Sequence, residues 1–280
     1  MSAPAAAGPP PTALPPGAAA EDVSFENPGG ERLAGVLVAP PGATRAAVLA
    51  HGYLGNMSMC RFPLLAAALA ERGLAVLRFD HPCAFRSRSQ RAGDFKMGNH
   101  AAECADIAAA AAFLRARGLE PAVLVGHSKG GINALRYAAT AAGAAAFPRV
   151  VWLAGRYRCR DGVLARFGAN VLDRFECEGA IERTESPALD SLKWTMTRED
   201  VMERVEADTA GWAAAVRAND AVEFFCVHGT ADATIPAAES EECAAAAGAA
   251  LALVPGGDHN FTAPAAAREM VARVVEWAAR

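Results

Sequence analysis

At 280 residues the chain is long enough to bury one large core, and its 52% hydrophobic and 21% charged residues describe a packed globular protein rather than a disordered one. A formal net charge of -4 with no run of Lys or Arg leaves no electrostatic footprint for a phosphate backbone or an anionic lipid surface, which excludes nucleic acid as an expected partner. The seven cysteines form no C-x-x-C pair, so zinc and dithiol redox motifs are excluded and a reducing compartment is expected.

Residues 1–20 are rich in Pro and Ala, lack the basic and apolar segments of a secretory signal, and are expected to form a solvated tail. A cytoplasmic location follows from that reading, with organelle import as the alternative. No apolar run reaches membrane-spanning length. After the tail, Val23 to Phe25 and Leu33 to Val38 read as strands joined by the turn Asn27-Pro28-Gly29-Gly30, an antiparallel sheet edge. From Ala46 onward, short apolar runs alternate with helix-length amphipathic segments, the pattern of a mostly parallel sheet flanked by helices. The strands are Ala46 to Ala50, Leu74 to Phe79, Ala122 to Val125, Val150 to Leu153, Glu223 to Val227 and Leu251 to Val254. The helices are Cys60 to Arg72, His100 to Arg117, Lys129 to Ala142, Ala237 to Ala247 and Pro264 to Ala279, with Gly73 and Gly118 as left-handed C-caps. Residues 155–218 break the alternation: no buried-strand signal occurs, while charges and Phe167, Phe175, Trp194 and Trp212 accumulate. That interval is predicted to be a helical cap inserted between core segments 21–154 and 219–280, with a helix start at Thr197-Arg198-Glu199-Asp200.

Chemistry concentrates in loops that follow strands. Gly126-His127-Ser128-Lys129-Gly130 stands directly after one strand and before a helix, a context that holds a nucleophile on a sharp turn with glycines where strand and helix meet. Asp232 lies in His228-Gly229-Thr230-Ala231-Asp232, after the next-to-last strand, and His259 in Gly256-Gly257-Asp258-His259-Asn260-Phe261, after the last. The order Ser, Asp, His is that of an α/β-hydrolase triad and of neither chymotrypsin nor subtilisin. His51-Gly52-Tyr53-Leu54-Gly55-Asn56 has the position and glycine content of an oxyanion loop, so the backbone N–H groups of Tyr53 and Lys129 are assigned as the two oxyanion donors. The Lys129 side chain is expected to be solvated or to pack along its helix. Asp258 competes with Asp232 but adjoins His259, and so is poorly placed to reach its neighbour's Nδ1.

The segments HGYLGN, GHSKGG, HGTADATIP and GGDHNF resemble the α/β-hydrolase superfamily, in the branch of serine-aminopeptidase-type hydrolases, monoacylglycerol lipases and cinnamoyl (feruloyl) esterases. The resemblance runs from Val23 to Ala279, and Ala154-Gly155-Arg156-Tyr157 with its charged continuation further resembles plant and algal members. It implies an α/β-hydrolase fold with a helical cap. It also implies a metal-independent acyl hydrolase, without cofactor, that passes through an acyl-enzyme and whose small-molecule substrate is chosen largely by the cap. A peptidase, thioesterase or acyltransferase would use the same groups, and a ligand receptor on this scaffold is the reading from a different class. One departure is plain: many relatives carry DxxGxGxS after the fourth core strand, whereas Asp80-His81-Pro82-Cys83-Ala84-Phe85-Arg86-Ser87 lacks both glycines, which affects the pocket wall and not the triad.

Of the remaining residues, His51, His127 and His228 read as supports for turns, and Cys83 as a small buried hydrophobe. The cap aromatics, Met196 and Met202 read as subdomain core before pocket lining, and Trp152 and Trp277 as core.

Overall fold

The computed structural model describes residues 14–82, 87–89, 95–185 and 193–280. Eight strands form one sheet: β1 (Ala19–Glu26), β2 (Arg32–Ala39), β3 (Arg45–Ala50), β4 (Ala75–Phe79), β5 (Glu120–His127), β6 (Arg149–Leu153), β9 (Glu223–Gly229) and β10 (Ala250–Val254), in the order β1-β2-β4-β3-β5-β6-β9-β10. The β1–β2 and β2–β4 pairs are antiparallel and the others parallel. β1 begins at Ala19, two residues inside the stretch read as tail, and residues 1–13 lie outside the described ones.

Side-chain alternation along the strands builds two cores. Ala46, Val48, Leu77, Leu124, Val150, Trp152 and Cys226 face α2 (His100–Ala116), α3 (Lys129–Ala138), α8 (Thr209–Arg217) and α9 (Ala238–Ala247). Ala47, Leu49, Val76, Val125, Val151, Phe225 and Val227 face α1 (Phe62–Ala70) and α10 (Pro264–Ala278) on the other side. Trp152 and Trp277 sit in these cores, as expected. Gly73 and Gly118 take φ of +82° and +73°, the left-handed turn that releases the chain from α1 and α2 into the following strand.

Two elements depart from the sequence reading. The helix expected over Lys129 to Ala142 is two: α3 stops at Ala138, and Thr140 starts α4 (Ala141–Ala146) by accepting a hydrogen bond from Gly143 N at 3.0 Å. The interval read as a helical cap contains α5 (Cys159–Phe167), α6 (Val171–Glu178) and α7 (Arg198–Val205), but also an antiparallel pair, β7 (Ala180–Thr184) with β8 (Lys193–Thr197). The pair escapes detection because only Ile181, Trp194 and Met196 on its inner face are buried, three residues that make no apolar run. Those three join Phe167, Phe175, Val163 and Val201 in a separate cluster, against which Met202 also packs. Trp212, on α8, packs instead against the sheet core. Thr197 caps α7 by accepting from Asp200 N at 3.3 Å, while the buried Asp200 carboxylate holds the backbone N–H of Met97 and Gly98 at 2.7 and 2.6 Å.

From β3 the chain crosses to β4 on one side, and from β5 to β6 on the other. The carboxyl ends of β3 and β5 therefore border the crevice where an open parallel sheet reverses its direction of winding, the place where such sheets take ligands.

Candidate active site

Ser128 joins β5 to α3 with φ 55° and ψ -116°, a strained backbone for a residue with a Cβ. The turn is held by Ser128 N donating to Leu153 O at 2.9 Å. It is also too tight for side chains at its flanks. A Cβ on Gly126 would lie 2.1 Å from Gly130 O, and one on Gly130 would lie 2.2 Å from Ala50 O. The glycines are thus required by close approach of β3, β5 and α3, and the result is a serine presented at the helix start.

The structure brings Ser128, Asp232 and His259 together. His259 Nε2 lies 3.1 Å from Ser128 Oγ, and His259 Nδ1 lies 2.7 Å from Asp232 Oδ2. Asp232 Oδ1 accepts from Thr234 N and Ile235 N, each at 2.8 Å. Burial would raise the Asp232 pKa, but the hydrogen bonds from His228 and His259, the His259 charge and the Ile235 amide outweigh it and hold the carboxyl well below the usual range. An ionised Asp232 can only accept, so His259 carries its proton on Nδ1 and presents a bare Nε2 to the serine hydroxyl. Asp258 is committed elsewhere: its Oδ1 accepts from Thr262 N at 2.7 Å.

His259 is braced from behind. His127 Nε2–H donates to His259 O at 2.8 Å, and Cys60 Sγ lies 3.0 Å from His127 Nδ1 and 3.2 Å from Asn260 Oδ1. Burial, with the His259 charge beside it, pushes the His127 pKa down to about 3, which leaves it a neutral spacer. His51 is likewise structural: its Nδ1 meets Gly52 O at 3.0 Å, and its Nε2 accepts from His81 N at 3.1 Å.

Gly52 packs directly on the serine turn. A Cβ there would fall 2.8 Å from both His127 O and Ser128 Cβ, and 3.1 Å from Lys129 N, so the β3 loop with Tyr53 abuts the first amide of α3. The Tyr53 hydroxyl donates to Glu185 Oε1 at 2.8 Å, which ties this loop to the segment after β7.

The Lys129 side chain corrects the expectation of a solvated lysine. It is 2% exposed and its Nζ lies 2.7 Å from Glu103 Oε1, while Glu103 Oε2 accepts from Asn133 Nδ2 at 2.6 Å. No sequence signal singled out Glu103, which sits in an alanine-rich helix and reads as one more helix-surface acid.

A cavity of 350 Å³ opens on Ser128 and His259, with Tyr53, Leu54, Arg156, Arg166, Phe167 and Arg204 among its walls. A larger groove of 780 Å³ runs along α1 between Leu14, Met59 and Leu64 and reaches this region only at Asn260 and Thr262, so size does not mark the chemistry here. In the loop after β4, Asp80 accepts from Met57 N and Arg88 N at 2.7 and 2.8 Å. Cys83 to Arg86, including the cysteine read as a buried hydrophobe, lie outside the described residues. Among the described residues no cluster of His, Cys, Asp and Glu has a metal-binding arrangement, and no helix is long and apolar enough to cross a membrane.

Sheet order, serine turn and the loops after β9 and β10 define an α/β-hydrolase fold. A model of the alpha/beta hydrolase fold family matches residues 47–165. The esterase domain of a Rhodothermus marinus protein has the same fold, with TM-score 0.65 and 20% identity over 94% of this chain and 98% of that one. So do Est1E from Butyrivibrio proteoclasticus, in a structure with ferulic acid bound (TM-score 0.70, 18% identity, 91% and 96% covered), and a hydrolase-like protein from Agrobacterium vitis S4 (TM-score 0.68, 20% identity, 93% and 99% covered). No curated protein matches the chain in sequence.

Proposed function

We propose that this chain is a serine hydrolase that cleaves a carboxylic ester of a small or medium acyl group through an acyl-enzyme. The observation that carries the reading is the unbroken run from Asp232 Oδ2 through His259 to Ser128 Oγ, at 2.7 and 3.1 Å, beside an open cavity. His259 Nε2 takes the Ser128 proton as Oγ attacks the carbonyl carbon, then returns it to the leaving alkoxide. Asp232 keeps the imidazole in the tautomer needed and stabilises the imidazolium. The backbone N–H groups of Tyr53 and Lys129 receive the oxyanion, a role supported by the packing of Gly52 against Ser128 and Lys129 and by the helix start at Lys129. Water, deprotonated by the same His259, then releases the acid.

The cavity volume of 350 Å³ is at the low end for small-molecule sites, which supports a compact substrate. Esterases among proteins of this fold favour ester over peptide or thioester cleavage. Cys60, Cys104, Cys159, Cys177, Cys226 and Cys243 are all free thiols, in keeping with work in a reducing, cytoplasmic setting. The reading is tested with 4-nitrophenyl butyrate. The purified chain should hydrolyse it and Ser128→Ala should not, whereas equal rates from both proteins would refute the mechanism.

A further inference from the structure

The cavity beside Ser128 holds more positive charge than its own carboxylates neutralise. Arg156, Arg166 and Arg204 line it together with Ser128 and His259. Two of the three are answered within the chain. Arg156 donates to Glu239 Oε1 at 2.8 Å and to Thr234 O at 2.6 Å, and Arg166 donates to Glu185 Oε2 at 3.0 Å. Glu185 is shared with the Tyr53 hydroxyl, so both of its oxygens are already engaged.

Arg204, near the end of α7, is different. Among the described residues it forms no ion pair, and its guanidinium carbon stands 5.6 Å from the centre of the Tyr53 ring. Its chain neighbour Glu203 turns away, with Oε1 2.9 Å from Ala101 N and 3.6 Å from Arg136. Burial depresses the Arg204 pKa; Cys159 and Tyr53 raise it in part, the charges of Arg156 and Arg166 lower it further, and no carboxylate of the cavity answers the guanidinium. A guanidinium is the side chain whose planar fork fits a carboxylate through two parallel hydrogen bonds, and it stays charged when half-buried. One unanswered positive charge calls for one negative charge, which a carboxylate supplies.

We infer that Arg204 is a substrate-binding residue for an ionised carboxylate, so that the ester cleaved at Ser128 carries a second, free carboxylate group. This rests on the serine-hydrolase reading above and narrows it from any compact ester to a hemiester of a dicarboxylic acid or a hydroxy acid acylated on its hydroxyl. Arg166 and Arg156 then act as a fixed positive rim, and Phe167 as the apolar wall along which the carbon chain lies.

The experiment compares the mono-4-nitrophenyl ester of glutaric acid with 4-nitrophenyl valerate, which has the same chain length and no carboxylate. The wild-type chain should prefer the charged ester by about tenfold or more in kcat/KM, the range expected for a charge-assisted hydrogen-bond pair. Arg204→Gln should collapse that ratio through KM, and Arg204→Lys should restore part of it. Equal use of the two esters by the wild type, or a preference that survives Arg204→Gln, overturns the inference. Failure of the hydrolase reading is told apart by calorimetry on Ser128→Ala, which turns nothing over. Monomethyl glutarate should bind it and dimethyl glutarate should bind about tenfold more weakly. Equal binding of the two, or no binding of the monoester, counts against the carboxylate site whatever the catalytic result.

Discussion

His228 Nε2 lies 3.1 Å from Asp232 Oδ2, the oxygen that His259 Nδ1 approaches at 2.7 Å, so two imidazoles share one carboxylate oxygen. The polarity of this run is fixed by the acceptors that meet His228 Nε2. Trp152 Nε1–H can only donate, and it donates to Ser240 Oγ at 3.0 Å. His228 Nε2 faces Ile235 O at 2.9 Å as well as Asp232, and two acceptors at one nitrogen require a proton there, so the bare Nδ1 accepts from Ser240 Oγ at 2.6 Å. His228 is thus a second donor that keeps Asp232 ionised and its carboxylate plane fixed.

Replacing that donor should show in turnover rather than in substrate affinity. His228→Leu is expected to lower kcat by about tenfold, the worth of one hydrogen bond to a charged group, with KM little changed. Ser240→Ala should act in the same direction and more weakly. A folded His228→Leu protein with wild-type kcat would contradict the role.

The proposed oxyanion donors can be probed without touching either amide. In Gly52→Ala the added Cβ meets Ser128 Cβ and His127 O at 2.8 Å, which pushes the β3 loop off the first amide of α3. Loss of one such donor costs kcat about a hundredfold or more. Full activity of 4-nitrophenyl ester hydrolysis in this variant would place the oxyanion elsewhere.

Glu103 and Lys129, buried at 2.7 Å, should behave as a unit. Lys129→Met alone leaves a buried carboxylate without its cation and is expected to cost about 3–5 kcal/mol in urea unfolding, while Glu103→Leu with Lys129→Met should recover most of that loss. Additive losses in the double variant would contradict the pairing.

Acid should destabilise the fold well above the carboxylate range. Burial holds His51 at about 4 and His100 and His127 at about 3, so each stays neutral in the folded chain when it would be protonated in the unfolded one. Between pH of about 6.5, the unfolded histidine value, and about 4 the unfolded state binds more protons, so stability falls as pH falls, by up to about 1.4 kcal/mol per unit for each group. His81 does not add to this loss: burial lowers its pKa, but Glu103 and Asp106 raise it further, so it is protonated in both states there. Glu103 and Asp232, both lowered in the folded chain, extend the loss below the ordinary carboxylate range. Urea midpoints at pH 7.5, 6 and 5 should descend in that order, and a flat or rising series would contradict the burial of neutral imidazoles.

Most of the sheet was legible because its strands are uninterrupted apolar runs such as Ala122 to Val125, and the glycines around Ser128 betray a turn that no side chain could enter. The order Ser128, Asp232, His259 was equally readable, since each follows a strand and parallel strands deliver their loops to one edge. What stayed hidden depends on distances across the chain. Glu103 meets Lys129 from a neighbouring helix, Glu185 meets Tyr53 from 132 positions away, and the lack of an ion pair at Arg204 has no signature in its neighbours. The β7–β8 pair was missed for a related reason: its stability comes from Trp194 and Met196 packing under α7 and α5, not from its own composition.

The most direct test of the account is covalent labelling of the serine. A fluorophosphonate probe added to the native chain should attach to Ser128 alone, as mapped by peptide mass, and labelling should be abolished in Ser128→Ala and slowed about a thousandfold in His259→Ala. Absence of labelling in the native chain, or a label that persists in Ser128→Ala, would contradict the claim that these three side chains work as one nucleophilic centre.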